Sequence, residues 1–321
     1  MANSNKNLDP HPDPEESTPE LLPAPLAYLN PEFLNSPDGR LLRIISEYSE
    51  PLSRFRREKI QDTVVFFGSA RFASLPDAQH ALTILEKPGS ARPAAPQDQP
   101  GGKDGDALQA ALKRAHAAVE MARYYEEARR LASMLTEWTL TLPGKRHRFV
   151  VTSGGGPGIM EAANRGAREA GGKTIGLNIR LPFEQYPNQY ITPELNFEFH
   201  YFFMRKYWFA YLAKALVVFP GGFGTLDEFF EILTLAQTHK LAKKILVIVY
   251  GKEYWNRVLN LDALADAGTI SPEDVNGFTM VDTPEEAFEV LKEGLTKYHL
   301  QPQPAKQQAV EEGPEIAKTL P

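Results

Sequence analysis

One segment of the sequence predicts both the fold and a site: Ala215-Leu216-Val217-Val218-Phe219-Pro220-Gly221-Gly222-Phe223-Gly224-Thr225-Leu226-Asp227-Glu228. Residues 215–219 are apolar, which predicts a buried strand. The glycines predict a turn that other residues could not build, and Thr225 is expected to open a helix with Asp227 and Glu228 in its first turn. Free N–H groups and the positive end of a helix dipole attract anions. Two carboxylates beside such a turn indicate that more than a phosphate is handled there.

Further apolar segments alternate with helical patterns along the chain. Because these segments are almost continuously apolar, they are typical of parallel strands buried on both faces of a sheet. We therefore predict an α/β fold with a doubly wound, mostly parallel, Rossmann-like sheet and helical additions at the N-terminus. The further strands are expected at residues 62–68, 148–152, 174–179, 197–201, 244–250 and 278–282, with one helix around residues 254–264.

The composition also predicts how the chain is divided. Residues 1–26 and 301–321 are polar and are expected to be disordered tails. Residues 27–60 are predicted to form a helical extension, and residues 61–300 the nucleotide-binding catalytic domain. Within that domain, residues 87–106 are rich in Pro, Gly and Gln and predict a flexible insertion that interrupts a helix.

Charge and cysteine content narrow the classes of function. The chain has 321 residues and no Cys, so it can form neither a disulfide nor a thiolate metal site. A net charge of −6 argues against broad nucleic-acid binding. The sequence shows no apolar signal-peptide core and no run long enough to span a bilayer, so we expect a cytoplasmic protein with no membrane partner.

Two other segments have the composition of ligand-binding turns. Gly68-Ser69-Ala70-Arg71 follows the first predicted strand and is equally compatible with an ordinary turn and with a ligand-facing loop. Ser153-Gly154-Gly155-Gly156-Pro157-Gly158 resembles the phosphate loop of the opening segment. Neither a dinucleotide fingerprint, nor a P-loop, nor a serine nucleophile elbow is present. His200 and His239 are isolated, so the pattern predicts a mononucleotide or sugar-phosphate pocket without metal or cofactor.

These motifs together resemble the Lonely Guy family, whose members are often mislabelled lysine decarboxylases. The resemblance covers residues 62–298 and rests on four motifs in order: Gly68-Ser69-Ala70-Arg71, the Gly154–Ala162 segment, Met204-Arg205-Lys206 and Pro220–Glu228. It implies a phosphoribohydrolase, which cleaves the N-glycosidic bond of a nucleoside 5′-monophosphate to free base and ribose 5-phosphate. AMP or an N6-modified AMP is the expected substrate, and a homodimer or higher homo-oligomer the expected assembly.

The resemblance also assigns roles to residues. Arg205 matches the catalytic arginine of the family, and Glu228 is expected beside the ribose, where a carboxylate can stabilise oxocarbenium charge or deprotonate water. Asp227 is expected to be a plain acid at the helix start. Glu161 and Asn164 open the second helix and are expected to face the ribose or a partner subunit. The predicted nucleotide-binding set is Gly221, Gly222, Gly224, Thr225, Gly154, Gly155, Gly156, Ser69, Arg71, Lys206, Met204 and Glu161.

Several alternatives stay open at this point. The same fold could act as a non-catalytic nucleotide or ligand carrier, which would bind without turnover. A true pyridoxal-phosphate decarboxylase would need a Schiff-base lysine, which neither glycine-rich loop supplies. The aromatic residues of segment 201–211 are expected to be core or a dimer interface rather than a stacking platform. Lys240, Lys243 and Lys244 are expected on a solvated face.

Overall fold

The computed structural model describes residues 23–87, 104–182, 186–238, 240 and 243–301. In these residues, seven parallel strands form one sheet in the order β4-β3-β2-β1-β5-β6-β7. The doubly wound α/β prediction is therefore confirmed, and every strand pair is parallel. The strands are β1 (Thr63–Phe67), β2 (Val150–Ser153), β3 (Thr174–Ile179), β4 (Asn196–Phe199), β5 (Ala213–Val218), β6 (Leu246–Tyr250) and β7 (Thr279–Val281).

Helices connect the strands and precede the sheet. Two of them lie before β1, namely α1 (Pro31–Asn35) and α2 (Arg40–Arg57). The others are α3 (Leu75–Glu86), α4 (Asp104–Leu140), α5 (Ile159–Glu169), α6 (Phe202–Leu212), α7 (Phe223–Gln237), α8 (Lys252–Val258), α9 (Leu261–Asp266) and α10 (Pro284–Leu295).

The predicted helix around residues 254–264 is wrong in one respect, because two short helices occupy this region. Asn260 lies between α8 and α9, and its side chain accepts a hydrogen bond from the backbone N–H of Ala263 at 3.1 Å. An asparagine in this position starts a new helix and ends the previous one.

Contact density divides the chain into two units, Met1–Ile45 and Ser46–Pro321, and the whole sheet lies in the second. In the described part of the first unit, Asn30 caps α1 by accepting from the N–H groups of Glu32 and Phe33. Parts of the predicted tails and most of the predicted insertion fall outside the described residues. Within that description, no helix has the length and apolar character needed to cross a bilayer.

The centre of the sheet is buried on both faces, which explains the unbroken apolar runs in the sequence. All five residues of β1 are buried, and so are five of the six in β5. On one face the rings of Phe66, Phe219 and Tyr250 follow one another, with centroid distances of 6.3 and 4.3 Å. The helices α4, α5 and α10 pack further buried side chains against the strand residues of this core.

The aromatic side chains of residues 201–211 differ in their burial. Tyr201, Trp208 and Phe209 are buried, as expected for core residues, whereas Phe202 and Phe203 are about half exposed. The prediction for the lysines is wrong at one position. Lys240 and Lys244 are exposed, but Lys243 donates a hydrogen bond to the backbone carbonyl of Tyr211, and burial lowers its pKa well below the usual value for lysine.

The packing of α5 against α4 predicts the effect of one substitution. A Cβ atom at Gly166 would lie 1.9 Å from the carbonyl oxygen of Arg129 on α4. Replacing glycine by alanine in a helix interior usually stabilises a protein, but here Gly166→Ala should lower the free energy of unfolding by about 2 kcal/mol, because the two helices must separate. Urea unfolding measures this change. Arg168→Ala, on the exposed face of the same helix, is the control and should leave stability nearly unchanged. An unaltered Gly166→Ala protein would contradict the close packing.

Candidate functional site

A cleft of about 840 Å³ opens where the sheet changes its direction of winding. Strand β1 pairs with β2 on one side and with β5 on the other, and the chain winds outward from it in both directions. The loops after β1 and β5 therefore diverge to opposite faces, and a crevice forms at the carboxyl ends of the strands. The loop after β1 lines this crevice with Ser69 and Arg71.

The loop after β5 differs from its prediction in two ways. Helix α7 begins at Phe223, two residues before Thr225, so Asp227 and Glu228 lie beyond its first turn. In addition, none of its glycines has a positive φ. Only Gly221 is needed for packing, because a Cβ there would lie 2.1 Å from the Thr225 hydroxyl oxygen.

The remaining two glycines of this loop leave space free. A Cβ on Gly222 or on Gly224 would meet no other atom within 4 Å. Both residues line the cleft. Their role is therefore not to permit the turn, and the absence of a side chain leaves the backbone open to a ligand.

Among the described helices that start at this edge of the sheet, α5, α6, α7 and α8 have no capping hydrogen bond from the side chain of their N-cap residue. Gly158 precedes α5 and Gly222 precedes α7, and neither has a side chain that could accept a hydrogen bond from the first N–H groups of its helix. By contrast, Ser74 caps α3 and Thr283 caps α10. The first N–H groups of an uncapped helix require another acceptor, and an anion can supply it.

Backbone hydrogen bonds hold the three loops together. The Ser69 N–H donates to the carbonyl of Pro220 at 2.9 Å, and the Ser69 carbonyl accepts from the N–H of Ile159 at 3.1 Å. The loop after β1 is thereby fixed between the other two. On α8, the Tyr254 hydroxyl donates to the Gly221 carbonyl at 2.8 Å.

A buried ion pair lies in the wall of the cleft. Arg205 on α6 and Glu228 on α7 approach to 3.3 Å between Nη2 and Oε1. Their side chains are only 15% and 6% exposed, so water screens the charges poorly. The guanidinium carbon of Arg205 lies 5.2 Å from the ring centroid of Phe202 and 5.6 Å from that of Phe209. The Arg205 Nε is buried without a partner among the described residues.

Burial shifts the titration of both members of this pair. It raises the pKa of Glu228 to about 7, because desolvation of the carboxylate outweighs its attraction to Arg205 and Lys206. It also lowers the pKa of Arg205, although the Glu228 carboxylate opposes that change. A carboxyl with a pKa raised this far, in a cleft, is a candidate for proton exchange near neutral pH.

Lys206 and Asp227 bind each other rather than lining the cleft. The Lys206 ammonium lies 2.8 Å from the Asp227 carboxylate and 3.3 Å from that of Glu231. The description of Asp227 as a helix-start acid is therefore wrong, since it lies in the second turn of α7 and pairs with α6. This exposed pair links the two helices that carry Arg205 and Glu228.

The second glycine-rich loop contributes less to the cleft than predicted. Gly154 lines it, but Gly155 and Gly156 do not, and both of their carbonyls accept from the Asn188 side chain, at 3.0 and 3.1 Å. Gly155 has a φ of 75°, and a Cβ there would collide with Asn178.

Asn164 also has a different place from the one expected. It is fully buried and faces neither the cleft nor the surface. Its side-chain oxygen accepts from Ser153 at 2.6 Å and from Asn188 at 2.9 Å. Its amide donates to the Ile175 carbonyl and to the Thr174 hydroxyl. Asn164 thus fixes the shape of the second loop.

Two other predicted binding residues lie away from the cleft. The Glu161 carboxylate accepts a hydrogen bond from the Tyr125 hydroxyl at 2.8 Å, and Met204 is a buried residue of α6. The remaining predicted residues are brought together in the lining: Ser69, Arg71, Gly154, Arg205, Gly221, Gly222, Gly224, Thr225 and Glu228.

The cleft also contains residues that no motif marked. Tyr254 enters it because α8 follows β6, the strand next to β5, and Gly251 turns the chain there with a φ of 93°. Knowledge of the strand order would have indicated that the loop after β6 borders the cleft. The other unpredicted residues form an apolar wall that includes Phe72, Met121, Leu181, Phe209 and Val258, and Met160 of the second motif adds to it. In the described residues, no three His, Asp or Glu side chains converge as a metal site would need.

Sequence comparison relates this site to known proteins. A family model described as "Possible lysine decarboxylase" matches residues 160–291. A cytokinin riboside 5′-monophosphate phosphoribohydrolase from Arabidopsis thaliana is 30% identical over 153 residues, which cover 46% of this chain and 68% of that protein. The enzyme of the same name from Rhodococcoides fascians is 32% identical over 126 residues, covering 38% of this chain and 62% of the relative. The match thus spans about two thirds of each relative.

Solved structures are also similar to this chain. One, titled TM1055, has a TM-score of 0.39 at 17% identity and covers 72% of this chain and 99% of that one. The Moco carrier protein from Chlamydomonas reinhardtii has a TM-score of 0.37 at 22% identity, with coverages of 55% and 89%.

The sequence matches and the Pro220–Glu228 motif indicate the same protein family. By the extent of its similarity to the Arabidopsis thaliana protein, the chain belongs to the Lonely Guy family.

Proposed function

We propose that this protein hydrolyses the N-glycosidic bond of a nucleoside 5′-monophosphate and releases the free base and ribose 5-phosphate. The observation that carries the proposal is the buried Arg205–Glu228 pair, which lines the same cleft as an uncapped, glycine-rich helix start. The first feature suits charge development at a sugar, and the second suits a phosphate. Relatives named cytokinin riboside 5′-monophosphate phosphoribohydrolases support the same reaction.

In the proposed reaction, the phosphate holds the substrate in place. The N–H groups at the start of α7, from Gly222 to Thr225, bind the 5′-phosphate, and the open space at Gly222 and Gly224 lets it approach the backbone. Because the phosphate fixes the ribose, C1′ is held near Glu228. Positioning of this kind lowers the entropic part of the barrier.

Glu228 and Arg205 then divide the chemistry. The bond from C1′ to the base nitrogen breaks, and the base leaves with the electron pair while the ribose gains oxocarbenium character. A water molecule adds its oxygen to C1′, and the Glu228 carboxylate takes the proton. That proton, directly or through solvent, neutralises the departing base. Arg205 stabilises negative charge on the base or on the phosphate.

The apolar wall of the cleft favours a purine with an apolar substituent. AMP and N6-modified AMP are the substrates that we propose, because Met121, Leu181 and Val258 provide apolar contacts rather than hydrogen bonds. We also propose a cytoplasmic homodimer. Phe202, Phe203 and Phe223 are 52%, 50% and 92% exposed, and a second subunit would remove such rings from water. Light scattering would measure the mass of the assembly.

The direct test is base release. The protein is incubated with AMP, GMP, CMP, UMP and isopentenyl-adenosine monophosphate, and free base is measured by chromatography. We expect release from AMP and from its N6-modified form. A folded protein that binds these nucleotides and releases no base would instead be a carrier, and the proposed reaction would be wrong.

Substitution of Glu228 should remove chemistry and preserve binding. In Glu228→Gln, the side chain keeps its size but cannot accept a proton, so kcat should fall about 100-fold or more while the Kd for AMP changes little. Asp227→Asn is the matched control, because the neighbouring acid is exposed and pairs with Lys206 instead. Its kcat should stay close to that of the wild type. Equal losses in both variants would contradict the distinct role of Glu228.

The raised pKa of Glu228 predicts opposite pH trends for activity and stability. Activity should rise with pH, with an apparent pKa near 7, because the carboxylate is the active form. Stability should change the other way. Between about pH 4.5 and 7 the folded state holds a proton that the unfolded state has lost, so the contribution of Glu228 to stability decreases as pH rises.

Two measurements check these trends. A pH profile of kcat/KM should lose its limb near pH 7 in Glu228→Gln. The Tm of Glu228→Gln relative to the wild type should be higher at pH 8 than at pH 5, whereas Asp227→Asn should show no such trend. A wild-type profile that is flat between pH 5.5 and 8 would argue against a proton-accepting Glu228.

A further inference from the structure

A second pocket, of about 640 Å³, lies at the opposite edge of the sheet from the cleft. Its lining includes Lys59, Ile60 and Gln61, just before β1, and Lys145 and Arg146, before β2. These segments precede their strands, whereas the loops of the cleft follow theirs. The volume is within the usual range for small-molecule sites.

The charge of this pocket is of one sign. Arg56, Lys59, Lys145 and Arg146 line it, and its lining contains no Asp or Glu. The whole chain carries a net charge of −6, so the pocket opposes the overall balance. All four residues are exposed, and an anion bound in the pocket would meet these positive charges without a competing carboxylate in the lining.

Neighbouring carboxylates do not neutralise these cations. Glu58 lies next to Lys59 but pairs with Lys173 at 3.0 Å and with Arg57 at 3.2 Å. Asp62 pairs with Arg148 at 2.7 Å. Across the described residues, none of the four pocket cations lies within 4.0 Å of a carboxylate oxygen.

The backbone holds the two basic segments side by side. The His147 N–H donates to the Lys59 carbonyl at 2.8 Å, and the Gln61 N–H donates to the His147 carbonyl at 2.9 Å. Burial is the main cause that lowers the pKa of His147, and the charges of Lys173 and Lys59 add to that change. Like charges are therefore fixed near each other by hydrogen bonds that do not involve their side chains.

Lys59 itself occupies an unusual backbone conformation. It ends α2 with a φ of 57°, a region where glycine is the usual residue. The Ile60 N–H completes the helix end by donating to the Phe55 carbonyl at 2.9 Å. A lysine in this conformation lowers stability relative to glycine. The position therefore carries a positive charge although its backbone conformation favours glycine.

The floor of the pocket is apolar and aromatic. Phe55 and Trp208 are buried there, and Tyr211 and Leu52 are partly exposed. Aromatic side chains in the lining suit a planar ring, and the cations of the same lining suit phosphates. From this combination we propose that the pocket is a second ligand site, which binds a nucleotide carrying more than one phosphate group.

The test uses ATP as the probe and calorimetric titration of the full-length protein. Lys145→Glu with Arg146→Glu should weaken ATP binding about tenfold or more, because two attractive charges become repulsive. The matched control reverses an adjacent exposed pair on α4 in the same way, by Lys113→Glu with Arg114→Glu, and should bind ATP as the wild type does. Equal affinity in the two double variants would overturn the proposal.

Two further variants locate the binding. Lys59→Gly removes one cation and relieves the left-handed backbone, so it should keep or raise the Tm while it weakens ATP binding about threefold. It keeps the test decisive if the charge reversal impairs folding. Arg205→Met removes the arginine from the cleft and should leave ATP affinity within about twofold of the wild type. A large loss of affinity in Arg205→Met would place ATP in the cleft and overturn the proposal.

Fragments of ATP test the two halves of the site. Tripolyphosphate and adenosine should each bind more weakly than ATP, because each uses only the cations or only the aromatic floor. Tripolyphosphate that binds as tightly as ATP would show that the ring makes no contribution, and the nucleotide assignment would then be wrong.

Discussion

The pairing of β1 with strands on both of its sides is the constraint on which the rest of the structure depends. Because the chain winds outward from β1 in two directions, the turns that follow β1, β2 and β5 meet at one edge. Their close approach explains two glycines. A side chain at Gly68 would collide with Ile159, and one at Gly158 would collide with the backbone of Ser69 and Ala70. The close packing of the loops thus requires glycine at these two positions whether or not a ligand binds.

The charged pair in the cleft lowers the stability of the protein, and the packing of the surrounding fold must offset that loss. Burial penalises both Arg205 and Glu228, and their mutual attraction offsets only part of the penalty. The pair is held by two helices that are also linked at their surface through Lys206 and Asp227. An exposed ion pair of this kind contributes little to stability, so most of the penalty is left to the packing of the two helices.

The sequence predicted the features that depend on residues close together along the chain. Apolar runs gave the strands, and glycines after them gave the loops of the site. It did not predict partners that are distant along the chain. Asn164 is satisfied by Ser153, Asn188 and Thr174, and Lys243 by the carbonyl of Tyr211, so both were wrongly expected at a surface or a ligand. Tyr254 was missed because its place depends on the position of β6 beside β5.

The open space at Gly222 and Gly224 has a consequence for how this protein can be altered. If backbone groups are the binding elements, removing a side chain takes nothing away from them. A scan that truncates residues to alanine would overlook this part of the cleft, and random mutation would inactivate it mainly by adding bulk. Such a surface has no side-chain atoms to lose, and only added side-chain atoms can block it. A large side chain at Gly224 would therefore fill the cleft while leaving the fold intact.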